Sequence, residues 1–156
     1  LMSEFGGLKV ELAHGGTAWK PCMIATEDIG SGTKIGALSH IGKDVVIGSN
    51  CNIQGMVYVA DKCLIGDNVF IGPKATLTND KYPPSGGQWS PIVVKDGVVI
   101  GANATIVAGV TLQQDCVIGA GAVVTKDVPS NQVWTGNPAK FLMTTSEYNK
   151  RREIDE

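Results

Sequence analysis

Aliphatic side chains recur at every sixth residue along most of this chain. They stand at Met23, Ile29, Ile35, Ile41, Ile47, Ile53, Val59, Ile65, Ile71 and Leu77, and again at Val94, Ile100, Ile106, Leu112, Ile118 and Val124. That makes sixteen hexads with one interruption. Glycine often follows the aliphatic residue, as at Gly36, Gly72, Gly101 and Gly119. Four residues after it stands a mostly small side chain, as at Thr33, Ser39, Cys51, Cys63, Ala75, Ala104, Cys116 and Ala122. A period of six fits neither a helix nor simple strand alternation. It predicts short flat strands joined by sharp bends, three to a triangular coil, with the aliphatic pointing inward and glycine easing the bend. Stacked coils bury a continuous ladder and satisfy each other's backbone groups. Sixteen hexads predict about five coils.

The ladder divides the chain. Residues 1–22 form an N-terminal segment leading into the prism, with Gly15, Gly16 and Pro21 as breakers and a loose end over Leu1–Gly7. Residues 23–128 form the β-helix. Within it, residues 79–93 (NDKYPPSGGQWSPIV) break the period and are expected to protrude. A long loop in a compact repeat protein is more often functional than accidental. Residues 129–156 form a C-terminal extension that leaves the prism. It carries a short polar helix over 144–155 that could cap the open end.

Composition narrows the partners. The net charge is −2 and no basic stripe is present, which argues against a nucleic-acid partner. Lys150, Arg151 and Arg152 are followed by Glu153, Asp155 and Glu156 and read as a solvated end. No apolar run approaches the roughly 18 residues of a membrane span, and no signal peptide is visible. The expectation is a cytoplasmic protein without a membrane partner. The four cysteines have no zinc spacing, and three fall in the small inward column, so they read as reduced core fillers.

Three stretches carry a family resemblance. They are residues 100–110 (IGANATIVAGV), residues 118–129 (IGAGAVVTKDVP) followed by 136–140 (GNPAK), and residues 70–73 (FIGP) with 77–84 (LTNDKYPP). With the ladder, they resemble the hexapeptide-repeat acyltransferases, and the third stretch resembles the nucleotide-sugar N-acetyltransferases among them. The resemblance implies a left-handed parallel β-helix. It implies a homotrimer with active sites between subunits, and acetyl-CoA as cosubstrate for a small acceptor, with no metal. Members of that subfamily commonly carry tryptophan and histidine where this chain has Gly36 and Ala37, while the histidine that follows matches His40.

The same resemblance places the coenzyme along Gly101, Ala102, Gly119, Ala120 and Ala122, where small residues admit a ligand to the backbone. Lys126 and Lys140 would meet phosphates. Asn137 and Pro138 belong to the exit motif beside the coenzyme, and Trp134 before it either flanks the adenine or packs against a subunit. Asn79 would hold the acceptor amine through its amide oxygen, and Asp80 beside it either does similar work or solvates the loop. Tyr82 and Trp89, as loop aromatics, either stack on a nucleotide base of the acceptor or pack onto a neighbouring subunit. His40 is either a base at neutral pH or an interface histidine. Three rival readings stand. A zinc-dependent carbonic anhydrase on this fold needs three histidines, and the chain has two. An O-acetyltransferase of this family usually offers a histidine in the protruding loop, and residues 79–93 contain none. A non-catalytic β-helix would not bind coenzyme A.

Overall fold

The computed structural model describes residues 7–155. The end expected to be loose, residues 1–7, lies outside them except for Gly7. Short parallel strands stack into three faces. Face A holds Thr17–Lys20, Lys34–Ile35, Asn52–Ile53, Phe70–Ile71, Val99–Ile100, Val117–Ile118 and Gln132–Thr135. Face B runs from Met23–Ile24 through His40–Ile41, Tyr58–Val59, Thr76–Leu77 and Thr105–Ile106 to Val123–Val124. Face C holds Val46–Ile47, Leu64–Ile65, Val93–Val94 and Thr111–Leu112, extended by single bridges at Ile29 and Val128. On face A, Ile35, Ile53, Ile71, Ile100 and Ile118 lie in register and are buried. The fold is the left-handed parallel β-helix.

Its length corrects the expectation. The ladder predicts about five coils, whereas face A alone has seven parallel rungs. The additional rungs lie where the period slips. Met23 is 54% exposed, and Ile24 takes the inward place beside Ile41. The next inward residue, Ile29, comes five positions later, and on face A Ala18 is buried one rung before Ile35. At the other end Val128 is buried only four residues after Val124, and Gln132–Thr135 then pairs in parallel with Val117–Ile118. Such irregular spacings escape a six-residue self-alignment.

The bends also differ in cause from the expectation. Gly36 and Gly101 do not have positive φ. They are glycine because the next coil crowds them: a Cβ on Gly101 would sit 2.5 Å from the Ala120 nitrogen, and one on Gly36 would strike the Gly55 nitrogen. The left-handed residue comes two positions later, at Leu38, Asn50, Met56, Asn68, Lys74, Asn103 and Asp115, each with φ between 56° and 62°. On the edge between faces A and B, the amide of each such residue donates to the corner of the coil before it. Leu38 donates to the Pro21 carbonyl at 2.6 Å and Met56 to Ala37 at 2.9 Å.

The inward small column fills what the aliphatics leave. Cys51, Cys63 and Cys116 are buried and free, and burial pushes the Cys116 thiol up to about 12. A thiol held protonated in this way is not a nucleophile. Thr33 satisfies its own burial, donating to the Gly48 carbonyl at 2.7 Å and accepting from the Cys51 amide at 3.0 Å.

The polar helix, α1 (Thr145–Asp155), starts from a capping box. Thr144 Oγ1 accepts from the Glu147 amide at 3.3 Å, and the Glu147 carboxylate accepts from the Thr144 amide at 2.8 Å. It does not close the end of the prism. It stands beside the outer surface of face A, where Tyr148 and Arg151 share a groove with Phe70 and Val99. The core end is packed instead by Trp134. No helix among the described residues is long and apolar enough to cross a membrane.

Candidate active site

Two regions hold the residues that the sequence singles out. The first is the loop between faces B and C. The Asn79 carbonyl accepts from the Ser90 amide at 2.7 Å and closes the loop at its base. Its side-chain Nδ2 donates to the Asp61 carbonyl of the preceding coil at 3.4 Å. That anchor leaves Oδ1 as the atom with which Asn79 can meet an acceptor. Asp80 turns into the loop, where Oδ2 accepts from the Ser85 amide at 3.0 Å. The Asp80 Oδ1 and Ser85 Oγ atoms are buried without a partner. Asp80 therefore shapes the loop through this bond.

The aromatics divide. Tyr82 is 79% exposed at the loop tip, with the Lys81 ammonium 5.7 Å from its ring centroid. Trp89 folds back over the third coil, where Lys62 Nζ lies 5.7 Å from its ring. His40 points outward on face B and stacks on Tyr58, with centroids 4.6 Å apart and planes at 17°. His40, Tyr58 and Thr76 occupy successive rungs. His40 thus lies two rungs from the level of Asn79, roughly 10 Å at ordinary strand spacing. A single chain does not bring the two together, because a base must reach its proton within hydrogen-bond distance.

The second region is the edge between faces A and B in the C-terminal coils. Gly101, Gly119 and Ala120 line a groove of about 680 Å³. Phe70, Val99 and Val117 form its floor, Leu142 and Met143 one wall, and Tyr148, Arg151 and Arg152 its rim. Ala102 is half-buried on the same edge outside this lining.

The remaining cofactor candidates scatter. Ala122 is fully buried inside the prism and offers a ligand no surface. Trp134 sits in register with the inward Ile118 and packs on the core, half-buried, its indole N–H donating to Gln132 Oε1 at 2.8 Å. Lys126 is exposed just past face B, away from this groove. The 136–140 turn completes face B. The Val123 amide donates to the Gly136 carbonyl at 2.9 Å, and the Ala139 amide donates back to Val123 at 2.8 Å. Asn137, Pro138 and Lys140 are exposed on it.

Arginines 151 and 152 are the residues that sequence reasoning missed. Their charge pattern reads as a solvated tail, yet they line the groove. Their spacing from Tyr148, three and four residues, marks one helical face, and that signal was legible.

Comparison with known proteins agrees with this architecture. The family described as "Hexapeptide repeat of succinyl-transferase" matches residues 91–126, and "Bacterial transferase hexapeptide (six repeats)" matches residues 28–61. The chain is 43% identical over 77 residues to the 2,3,4,5-tetrahydropyridine-2,6-dicarboxylate N-acetyltransferase of Staphylococcus aureus, covering 49% of this chain and 31% of that protein. It therefore spans about a third of the length of the curated relatives it matches. A hexapeptide-repeat-containing acetyltransferase of Vibrio cholerae O1 biovar eltor, solved with acetyl coenzyme A, is 31% identical with a TM-score of 0.60, covering 72% of this chain and 70% of that one. The acetyltransferase domain of PglB from Neisseria gonorrhoeae, also solved with acetyl coenzyme A, shares the fold at 24% identity with a TM-score of 0.71, covering 82% and 58%. By its ladder, its left-handed corners and these likenesses, the chain belongs to the hexapeptide-repeat transferases.

Proposed function

We propose that this protein transfers an acetyl group from acetyl-CoA to an amino group of a small acceptor, and that the acceptor is a nucleotide-linked aminosugar. The observation that carries the reading is the groove along Gly101, Gly119 and Ala120. Its edge is bare of bulky side chains, so a pantetheine arm can approach the backbone. Its floor of Phe70, Val99 and Val117 is apolar and its rim cationic, which suits an arm ending in phosphates. The likeness to an acetyltransferase solved with acetyl coenzyme A supports the donor. The N-acetyltransferase of Staphylococcus aureus supports an amine acceptor. The likeness of residues 70–84 to the sugar N-acetyltransferases supports the aminosugar.

In this reading Asn79 does the orienting. Fixed through Nδ2 to Asp61, it presents Oδ1 as an acceptor for an amine N–H and so aims the nitrogen lone pair at the thioester carbon. As the N–C bond forms, the C–S bond breaks and the sulfur leaves as the thiolate. The amine's proton passes to water, and the thiolate takes up a proton from water to become the thiol; within one chain His40 lies two rungs from Asn79 and does not reach the amine. We further propose a trimer, in which a neighbouring copy completes the walls of the groove. Native mass should return three chains, and a stable monomer at micromolar concentration would remove the shared site.

Thiol release from acetyl-CoA, measured across paired nucleotide-linked sugars that differ only in amine against hydroxyl, tests the function. Turnover is expected with amines. Turnover with the hydroxyl partners alone would make the enzyme an O-acetyltransferase. Absence of both turnover and coenzyme binding would leave a structural β-helix.

A further inference from the structure

The corners of the prism carry a repeated device that Asn79 reverses. Two residues after the inward aliphatic, Asp61, Asp67 and Asp96 each turn a carboxylate back over the coil before. Their Oδ1 atoms accept from the corner amides of Lys43 at 2.9 Å, Ser49 at 2.7 Å and Asp67 at 2.8 Å. Glycine makes room for each: a Cβ on Gly42, Gly48 or Gly66 would strike the same oxygen. Asn79 follows Lys43 and Asp61 in one column, on the edge between faces B and C. In the pattern of the other corners its side-chain oxygen would accept from the Asp61 amide. Its nitrogen instead donates to the Asp61 carbonyl at 3.4 Å, the one hydrogen bond of the Asn79 side chain among the described residues. A carbonyl only accepts, so the atom facing it is Nδ2, and Oδ1 is released from the ladder.

The direction of that oxygen is set by the Asp61 carbonyl. The bond is long against the usual distance of about 2.9 Å, so a small shift of the carbonyl breaks it. The Asp61 corner is held by its own carboxylate on the Lys43 amide, and by the Lys62 amide donating to the Lys43 carbonyl at 2.9 Å. The same corner meets the far end of the loop, where Lys62 Nζ lies over Trp89. We infer that Asp61 is a positioning residue of the acceptor site: its carboxylate clamps the corner, and its carbonyl aims Asn79 Oδ1 at the acceptor amine. This rests on the reading above that Asn79 meets the acceptor.

The test compares Asp61→Ala, Asp61→Asn and Asp67→Ala with the parent, and adds Asp61→Ala to Asn79→Ala. Thiol release from acetyl-CoA is read on the nucleotide-linked aminosugar that the parent acylates fastest. Asp61→Ala should lower kcat roughly 10- to 100-fold, as a misplacement of about 1 Å does, with KM for acetyl-CoA unchanged. Asp61→Asn keeps an oxygen for the Lys43 amide and should recover most of the rate. Asp67→Ala loses the same kind of bond on another edge and should turn over like the parent. In the Asn79→Ala background, Asp61→Ala should cost no more than about twofold, because two changes to one device do not add. The Asn79 side-chain amide resonance should shift in Asp61→Ala and stay in place in Asp61→Asn and Asp67→Ala. Parental turnover or an unmoved Asn79 resonance in Asp61→Ala, an equal loss in Asp67→Ala, or losses that multiply in the double variant would overturn the inference while leaving the acceptor reading standing. Parental turnover in Asn79→Ala, or a parent that acylates no amine of the panel, would overturn both.

Discussion

The edge between faces A and B runs the length of the prism, yet its two halves are built differently. In the N-terminal half the left-handed corner residues are Leu38 and Met56, 59% and 50% exposed. In the C-terminal half the equivalent residues are Asn103 and Gly121. All four positions hold the same backbone conformation, with φ between 58° and 69°. A leucine there carries about 1–2 kcal/mol of steric cost, which glycine escapes and asparagine lessens. The fold therefore dictates where the chain turns, and the side chain at the turn dictates what the edge can hold. Bulky residues stand at the corners of the first half, continued by Lys74, and smaller ones at those of the second, where Gly101, Gly119 and Ala120 line the groove.

The largest effect should come from filling the open half. Ala120→Trp should abolish the thermal shift given by acetyl-CoA, which for ligand at 100 times Kd is worth about 2.7 kcal/mol in the parent. Leu38→Trp, on the same edge in the other half, should leave that shift intact. A lost shift in both would mean that the halves are not functionally distinct.

On the acceptor side, Asn79→Ala should lower kcat/KM by roughly 10- to 1000-fold, or about 1.4–4 kcal/mol, with coenzyme affinity nearly unchanged. His40→Asn should alter neither turnover nor the acidic limb of the pH profile. A flattened limb in that variant would show that His40 supplies the base after all.

Stability measurements sharpen the comparison further. Gly101→Ala forces a Cβ to 2.5 Å from the Ala120 nitrogen. It should cost about 1–3 kcal/mol by urea unfolding, as overpacking does. Leu38→Asn relieves part of the left-handed cost and should raise stability by up to about 1 kcal/mol. Destabilisation there would mean that the Leu38 side chain makes contacts that outweigh its strain.

The smallest effect concerns the cap of α1. The Glu147 carboxyl is held below its usual range by the Thr144 amide. A group lowered in the folded state contributes above its unfolded pKa and loses that contribution as pH falls through the folded value. Amide exchange in the first turn of α1 should therefore quicken relative to intrinsic rates below about pH 4.5. Glu147→Ala should remove this pH dependence.

Much of this was legible in the residues. The ladder from Ile29 to Val124 lies inside the prism as its period requires, because a six-residue repeat with aliphatic register has few other ways to bury itself. The long loop and polar helix also appear where composition puts them. What the pattern could not show lies at its ends, where steps of five between Ile24 and Ile29 and of four between Val124 and Val128 break the period. Ala122 illustrates a different miss. It stands in the small inward column, so the ladder already argued against the surface role that the family resemblance suggested. The packing of Trp134 on the core is not legible, because an aromatic beyond the last regular hexad gives no sign of it. His40 and Asn79 were joined by chemistry alone, and rung counting separates them. Arg151 and Arg152 read as a solvated end because acids follow them, although helical phase sets them on one face with Tyr148.

The most direct test of the open-edge account is amide hydrogen exchange with and without saturating acetyl-CoA. The account predicts added protection at residues 99–103, 117–121 and along α1, with residues 36–38 and 54–56 unchanged. Protection confined to the N-terminal half of the edge, or none anywhere under conditions where binding is complete, would contradict it.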